Sequence, residues 1–128
     1  ESCTAGKIVT WLSEVEGGGE FIESGYVVYS PQAKQRLLHV SPYTIATFNL
    51  TSVEVAREMA LGALQDSTAT VAVATTGILG PEDVDGIPAG TICFAWAFQS
   101  PAAALHVRRS APSVVAALSL RALTGLCP

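Results

Sequence analysis

Thr70-Val71-Ala72-Val73-Ala74-Thr75-Thr76-Gly77 is a short, apolar, β-branched run that ends on a glycine. A run of this length bounded by turn residues is the pattern of a buried strand. Ahead of it, Thr51-Ser52-Val53-Glu54 has capping-box spacing, which opens a helix over Val53–Leu64. The apolar face of that helix is Val53, Ala56, Ala60, Ala63 and Leu64. Behind the strand lies a loop from Gly77 to Gly90, punctuated by Gly80-Pro81 and Pro88. Thr91 to Phe98 reads as the next strand. A helix, a buried strand, a loop and another strand imply a sheet covered by helices.

The same alternation extends outward. Cys3 to about Glu14 reads as a helix, with Ile8, Trp11, Leu12 and Val15 at helical spacing, and Gly17-Gly18-Gly19 breaks it. Phe21 to Tyr29 is rich in aromatic and β-branched residues and reads as a strand. Pro31 suits the first turn of a helix through Lys34 to Leu38, and Pro42 starts another short one. On the other side, Gln99-Ser100-Pro101 suggests a hairpin into a strand over Ala104–Arg109. A closing helix is expected from Pro112 to about Leu123, stopped by Gly125. The expected architecture is α/β, a sheet covered by helices and mixed if the hairpin forms, in one domain over residues 1–128. A serine at a helix entry normally follows the strand that delivers it, and only Glu1 precedes Ser2. We therefore expect that first strand to lie outside this chain.

Composition narrows the function. Of 128 residues, 49% are hydrophobic and 14% charged, which suits a packed core and argues against disorder. The net charge of −4 and the lack of a basic run argue against nucleic-acid binding. No apolar stretch approaches membrane-span length, so no membrane partner is expected. The three cysteines, Cys3, Cys93 and Cys127, are too scattered for a disulfide framework or a zinc site and fit a reducing cytoplasm. His39 and His106 form no metal-ligand cluster, and the acidic Glu82, Asp83 and Asp85 lack calcium-loop spacing. No metal and no cofactor are expected. Asn49-Leu50-Thr51 matches a glycosylation sequon but reads as helix-entry chemistry.

Ser2, at the entry to the first helix, sits beside unpaired backbone N–H groups able to receive charge from an attacked carbonyl. Tyr29 and Lys34 could supply a hydrogen-bonding relay and a base. By spacing alone, however, Ser2 reads as an ordinary N-cap, Tyr29 as a strand aromatic and Lys34 as a solvated helix residue. Thr76, Gly77 and Gly80 follow a buried strand at its C-terminal end, where open α/β sheets place ligands. Arg108 and Arg109 end the hairpin strand and should point opposite ways. Arg109 is the one favoured as a phosphate partner.

Glu1-Ser2-Cys3-Thr4-Ala5-Gly6, Val27-Val28-Tyr29-Ser30, Ala33-Lys34, Val55-Ala56-Arg57-Glu58-Met59-Ala60, Thr76-Gly77-Ile78-Leu79-Gly80-Pro81 and Pro88-Ala89-Gly90-Thr91 occur in order. Together they resemble the CinA C-terminal domain, the nicotinamide mononucleotide deamidase family. The resemblance implies a three-layer α/β/α sandwich with a mixed sheet, and hydrolysis of the nucleotide's carboxamide to nicotinate mononucleotide and ammonia. It places the catalytic set on Ser2, Tyr29 and Lys34. It leaves Cys3, Thr4, Gly6, Thr76, Gly77, Gly80 and Arg109 as substrate-binding positions. A homo-oligomer and a small nucleotide partner are implied too. Two positions depart from the family pattern: Ala5 replaces a usual second glycine, and Glu82-Asp83-Val84-Asp85-Gly86-Ile87 is shorter and more acidic than usual, with no lysine. An acidic loop opposes an anionic phosphate. The competing readings are therefore an amidase for another small carboxamide and a non-catalytic binding or assembly module.

Overall fold

A computed structural model describes residues 1–99 in full and the backbone of 113–120. The elements are α1 (Lys7–Glu14), a 3-10 turn (Gly18–Glu20), α2 (Pro31–Leu38), α3 (Pro42–Phe48), α4 (Val53–Gln65), β1 (Val71–Gly77), β2 (Ile92–Phe98) and β3 (Ser113–Leu120). The sheet order is β1-β2-β3 and both pairs are antiparallel. The fold is α/β.

The middle helices start where local chemistry says they should. Ser30 and Ser41 cap α2 and α3, each followed by proline at the first helical position. At α4 the cap is Ser52, whose hydroxyl accepts the Val55 N–H at 3.2 Å, so Thr51 is not the capping residue. α4 then buries Val55, Ala56, Met59, Ala60 and Leu64 against the sheet. The sheet answers with alternate β2 residues Cys93, Ala95 and Ala97, all buried. On the opposite face of β2, Phe94 and Trp96 stack with ring centroids 6.2 Å apart.

Small side chains permit close approach on the buried face. Gly62 of α4 lies against the end of α2, where a Cβ would stand 1.9 Å from the Leu38 carbonyl oxygen. Backbone on both sides leaves nowhere to move. Gly62→Ala should lower stability by about 1–3 kcal/mol, read as a reduced midpoint in urea unfolding. An unchanged midpoint would mean that the two helices can separate at no cost.

Three expectations are corrected. First, the chain from residue 3 to 6 is a turn, not helix, because Ala5 and Gly6 take positive φ (52° and 92°) and delay α1 to Lys7. Ser2 is therefore not an N-cap. Second, the strand expected over 21–29 does not join the β1-β2-β3 sheet: Phe21 is still in the helical region, and the segment after it bonds to Glu1, whose N–H donates to Tyr26 O at 2.6 Å and whose carbonyl accepts from Val28 N–H at 2.8 Å. A residue that bonds j−1 and j+1 in this way is in parallel register. Ser2 N–H in turn donates to Thr75 O of β1 at 3.0 Å, so Glu1-Ser2 bridges the extended segment and the sheet. Third, the expected closing helix over 112–123 gives way to β3, which pairs along β2 from Ile92↔Leu120 to Phe98↔Ser113. Its short apolar run carries no decisive period, and the free edge of β2 offers it a ladder. The expected strand over 104–109 lies outside the described residues.

α1 packs on the segment that leads to α2, its Val9 Cγ2 standing 2.6 Å from where a Cβ on Gly25 would be.

Candidate active site

Three structural devices converge on Ser2. The bridge just described fixes its backbone between the extended segment and β1. The 3–6 turn then swings the chain away, leaving its side chain 7% exposed. Finally, α2 delivers Lys34 from the other side of the sequence. Lys34 is the largest fully buried side chain, 1% exposed.

The Lys34 amine has three partners. It donates to Val28 O at 2.8 Å, to Tyr29 O at 2.8 Å, and to Ser2 Oγ at 3.1 Å. As a charged ammonium it spends all three N–H groups this way. As a neutral amine it keeps two N–H groups for the carbonyls and turns its lone pair to the Ser2 hydroxyl. The carbonyls aim the amine in both states. Burial pushes the Lys34 ammonium below its ordinary range, with the nearby Cys3 sulfur acting weakly the other way. Among the described residues no carboxylate pairs with it.

The oxyanion side is open. Ala5 N–H closes the turn onto Ser2 O at 3.0 Å, and Lys7 N–H donates to Thr4 O at 3.0 Å. The N–H groups of Cys3 and Thr4 donate to no backbone oxygen among the described residues and lie against the Cys3 sulfur. The Cys3 thiol is adjacent and buried, but burial pushes its pKa up, outweighing those backbone N–H groups and the nearby ammonium groups. It is held as a thiol at neutral pH and is a weaker nucleophile than its position suggests.

These groups open on a cavity of about 510 Å³. Its walls bring together Ser2, Cys3, Tyr29, Lys34, Thr76 and Gly77. Thr4, Gly6 and Gly80 stand outside the lining. Gly6 serves the turn through its positive φ, and Gly80 precedes a cis peptide to Pro81. Arg109 lies outside the described residues. The Tyr29 side chain is 60% exposed, and it is the Tyr29 carbonyl, not its hydroxyl, that touches Lys34. Tyr26 points elsewhere, its hydroxyl donating to Asp66 Oδ2 at 2.8 Å. Among the described residues no cluster of three His, Cys, Asp or Glu could hold a metal, and no helix is long and apolar enough to cross a membrane.

The wall also takes in residues that sequence reasoning missed, from the α3–α4 connection, and others from the acidic loop it had singled out. Asn49, Leu50 and Thr51 enter from the α3–α4 connection, which Thr76 Oγ1 anchors by donating to Leu50 O at 2.8 Å. Asn49 ends α3 at φ 68°, a signal of a tight turn that the sequon obscured. Val84, Asp85 and Ile87 enter from the acidic loop. Asp83 Oδ1 ties that loop shut by accepting Ala89 N–H at 2.8 Å, and Val84 pairs with Ile87 across a turn.

The family model described as CinA C-terminal domain matches residues 1–126. Protein YdeJ of Escherichia coli strain K12 is 40% identical over 119 residues, covering 91% of this chain and 69% of that protein. A putative competence-damage inducible protein of Symbiobacterium thermophilum is 44% identical over 98 residues, 76% of this chain but only 23% of the relative. Among solved structures, the competence/damage inducible protein CihA from Agrobacterium tumefaciens superposes with a TM-score of 0.73 at 38% identity, covering 77% of this chain and 60% of that one. The matched family model and these relatives agree: the chain belongs to the CinA C-terminal domain family.

Proposed function

We propose that this domain is an amidohydrolase that cleaves the carboxamide of nicotinamide mononucleotide through Ser2. The observation that carries the reading is the buried Lys34 amine 3.1 Å from Ser2 Oγ, aimed by the Val28 and Tyr29 carbonyls. A nucleophilic serine needs a base within hydrogen-bond reach and an orienting group behind that base. Here two backbone oxygens do the orienting.

In this reading the neutral Lys34 amine takes the Ser2 proton as Oγ attacks the carboxamide carbon. The N–H of Cys3, a residue of the cavity wall, receives the developing oxyanion. Lys34 returns the proton to the leaving nitrogen, the C–N bond breaks, and ammonia departs. Water then gives a proton to Lys34 and attacks the acyl-Ser2 ester; Lys34 passes that proton to Ser2 Oγ as the C–O bond breaks, and the acid leaves. Lys34 reaches Ser2 directly, so no tyrosine relay is required. The Tyr29 ring, exposed on the cavity wall, is placed to flank the pyridine ring instead.

The acidic loop bears on the substrate. Asp85 on the wall would attract a pyridinium cation and repel a phosphate nearby. A panel of nicotinamide mononucleotide, nicotinamide riboside and free nicotinamide, read by ammonia release, resolves the two effects. Fastest turnover of the mononucleotide is expected. Turnover confined to the riboside or to nicotinamide would overturn the substrate while leaving the amidase chemistry.

A further inference from the structure

Glu1 is the least expected participant. Its side chain is buried, 8% exposed, yet it contributes nothing to the cavity wall. Its carboxylate instead accepts four hydrogen bonds from the turn and helix that follow. Thr4 Oγ1 donates to Oε2, as do Gly6 N–H at 3.1 Å and Ile8 N–H at 3.2 Å, and Val9 N–H donates to Oε1 at 3.1 Å. Gly6 at the N-cap position offers no side chain, so Glu1 supplies the missing cap from five residues upstream. Burial pushes the Glu1 carboxyl up, but the hydrogen bonds from Thr4, Val9 and Ile8 outweigh it and hold it below the usual range.

The donor directions are fixed by chemistry. An ionised carboxylate only accepts, so the Thr4 hydroxyl donates to it. Thr75 Oγ1, 2.8 Å from Thr4 Oγ1, must then donate to Thr4. The chain Thr75→Thr4→Glu1 thus links β1 to the turn, while Thr75 O holds Ser2 N–H. The N–H groups this carboxylate takes are those of Gly6, Ile8 and Val9. It takes neither the Cys3 nor the Thr4 N–H, and of these two residues Cys3 is on the cavity wall.

We propose that Glu1 is a positioning residue: its carboxylate holds the 3–6 turn that follows Ser2, and so fixes Ser2 Oγ and the Cys3 N–H where they meet the cavity, with the Cys3 N–H as oxyanion donor. The proposal rests on the amidase reading for its substrate assay but not for its second readout. Neutral glutamine keeps the side-chain length but sets an NH2 group against backbone donors. Displacing reacting groups by about 1 Å can cost roughly 100-fold in rate.

The test measures Glu1→Gln, Thr4→Val and Thr4→Ser by two readouts, with folding checked by thermal unfolding. The first is ammonia release from nicotinamide mononucleotide. The second is the rate at which a fluorophosphonate labels Ser2, a reaction that builds charge on an oxygen in the same place but needs no nucleotide. Glu1→Gln should lower kcat roughly 10- to 100-fold with little change in KM, and slow labelling comparably. Thr4→Val should follow in the same direction, and Thr4→Ser should restore both rates. Wild-type labelling without ammonia release would sink the substrate reading and leave the labelling series to judge Glu1. Unchanged kcat and labelling in folded Glu1→Gln, a loss that Thr4→Ser does not reverse, or a wild type inert in both assays would overturn the proposal. If Glu1→Gln does not fold, the threonine pair decides.

Discussion

Lys34→Met should lower kcat at neutral pH by about 1,000-fold or more while leaving KM for the nucleotide nearly unchanged. Loss of a nucleophile's base costs on that order in serine hydrolases. Methionine fills the same buried space but cannot take a proton from Ser2. It also leaves Val28 O and Tyr29 O without their donor, so some stability is lost as well. The wild-type pH profile carries a sign that can be worked out. Only the neutral amine is active, and burial lowers the Lys34 pKa from its ordinary 10.5. The kcat/KM profile should therefore rise with pH and level off below that value. Between the folded and unfolded pKa values the unfolded chain binds the extra proton, so stability should also rise with pH across that window. A rate that keeps climbing to pH 10.5 would mean that Lys34 titrates as an ordinary solvated lysine. Lys34→Arg should not rescue, because a guanidinium does not give up its proton in this range.

Ser2→Ala should be the most damaging single change to activity. Removing the hydroxyl removes the only atom that can form the acyl intermediate. The expected loss is to background, again about 1,000-fold or more. Its backbone bridge to Thr75 O needs no side chain, so the unfolding midpoint should move little. The small change in stability separates this variant from one that merely unfolds. Cys3, next in the chain and buried, should not substitute, since its thiol pKa is raised. Residual activity that is sensitive to thiol alkylation in Ser2→Ala would reverse that assignment.

How far the sequence could be read depended on how local each signal was. Ser30-Pro31, Ser41-Pro42 and Ser52 announce their helices within four residues, and those helices begin there. Val71–Gly77 was legible because β-branched residues between a helix and a glycine leave few alternatives. Ser113–Leu120 was not, because its apolar run suits a helix as well as a strand and only the open edge of β2 decides. The 22–29 segment has the composition of a strand, and its parallel hydrogen bonds at Tyr26 and Val28 go to Glu1. At the site, Ser2 and Lys34 were named by resemblance. Their contact joins residues 32 apart in sequence and could not be read from spacing. Tyr29 was read for its hydroxyl, whereas its carbonyl makes the contact with Lys34. Glu1 was missed because its hydrogen-bond partners lie across a turn set by positive φ at Ala5 and Gly6. An acidic residue upstream of a helix whose N-cap is glycine is the signal that could have found it.

The most direct measurement is ammonia release from nicotinamide mononucleotide by wild type, Ser2→Ala and Lys34→Ala, side by side and with folding verified. The account predicts steady release by the wild type and background in both variants. Release that survives either substitution would contradict a serine nucleophile activated by a buried lysine.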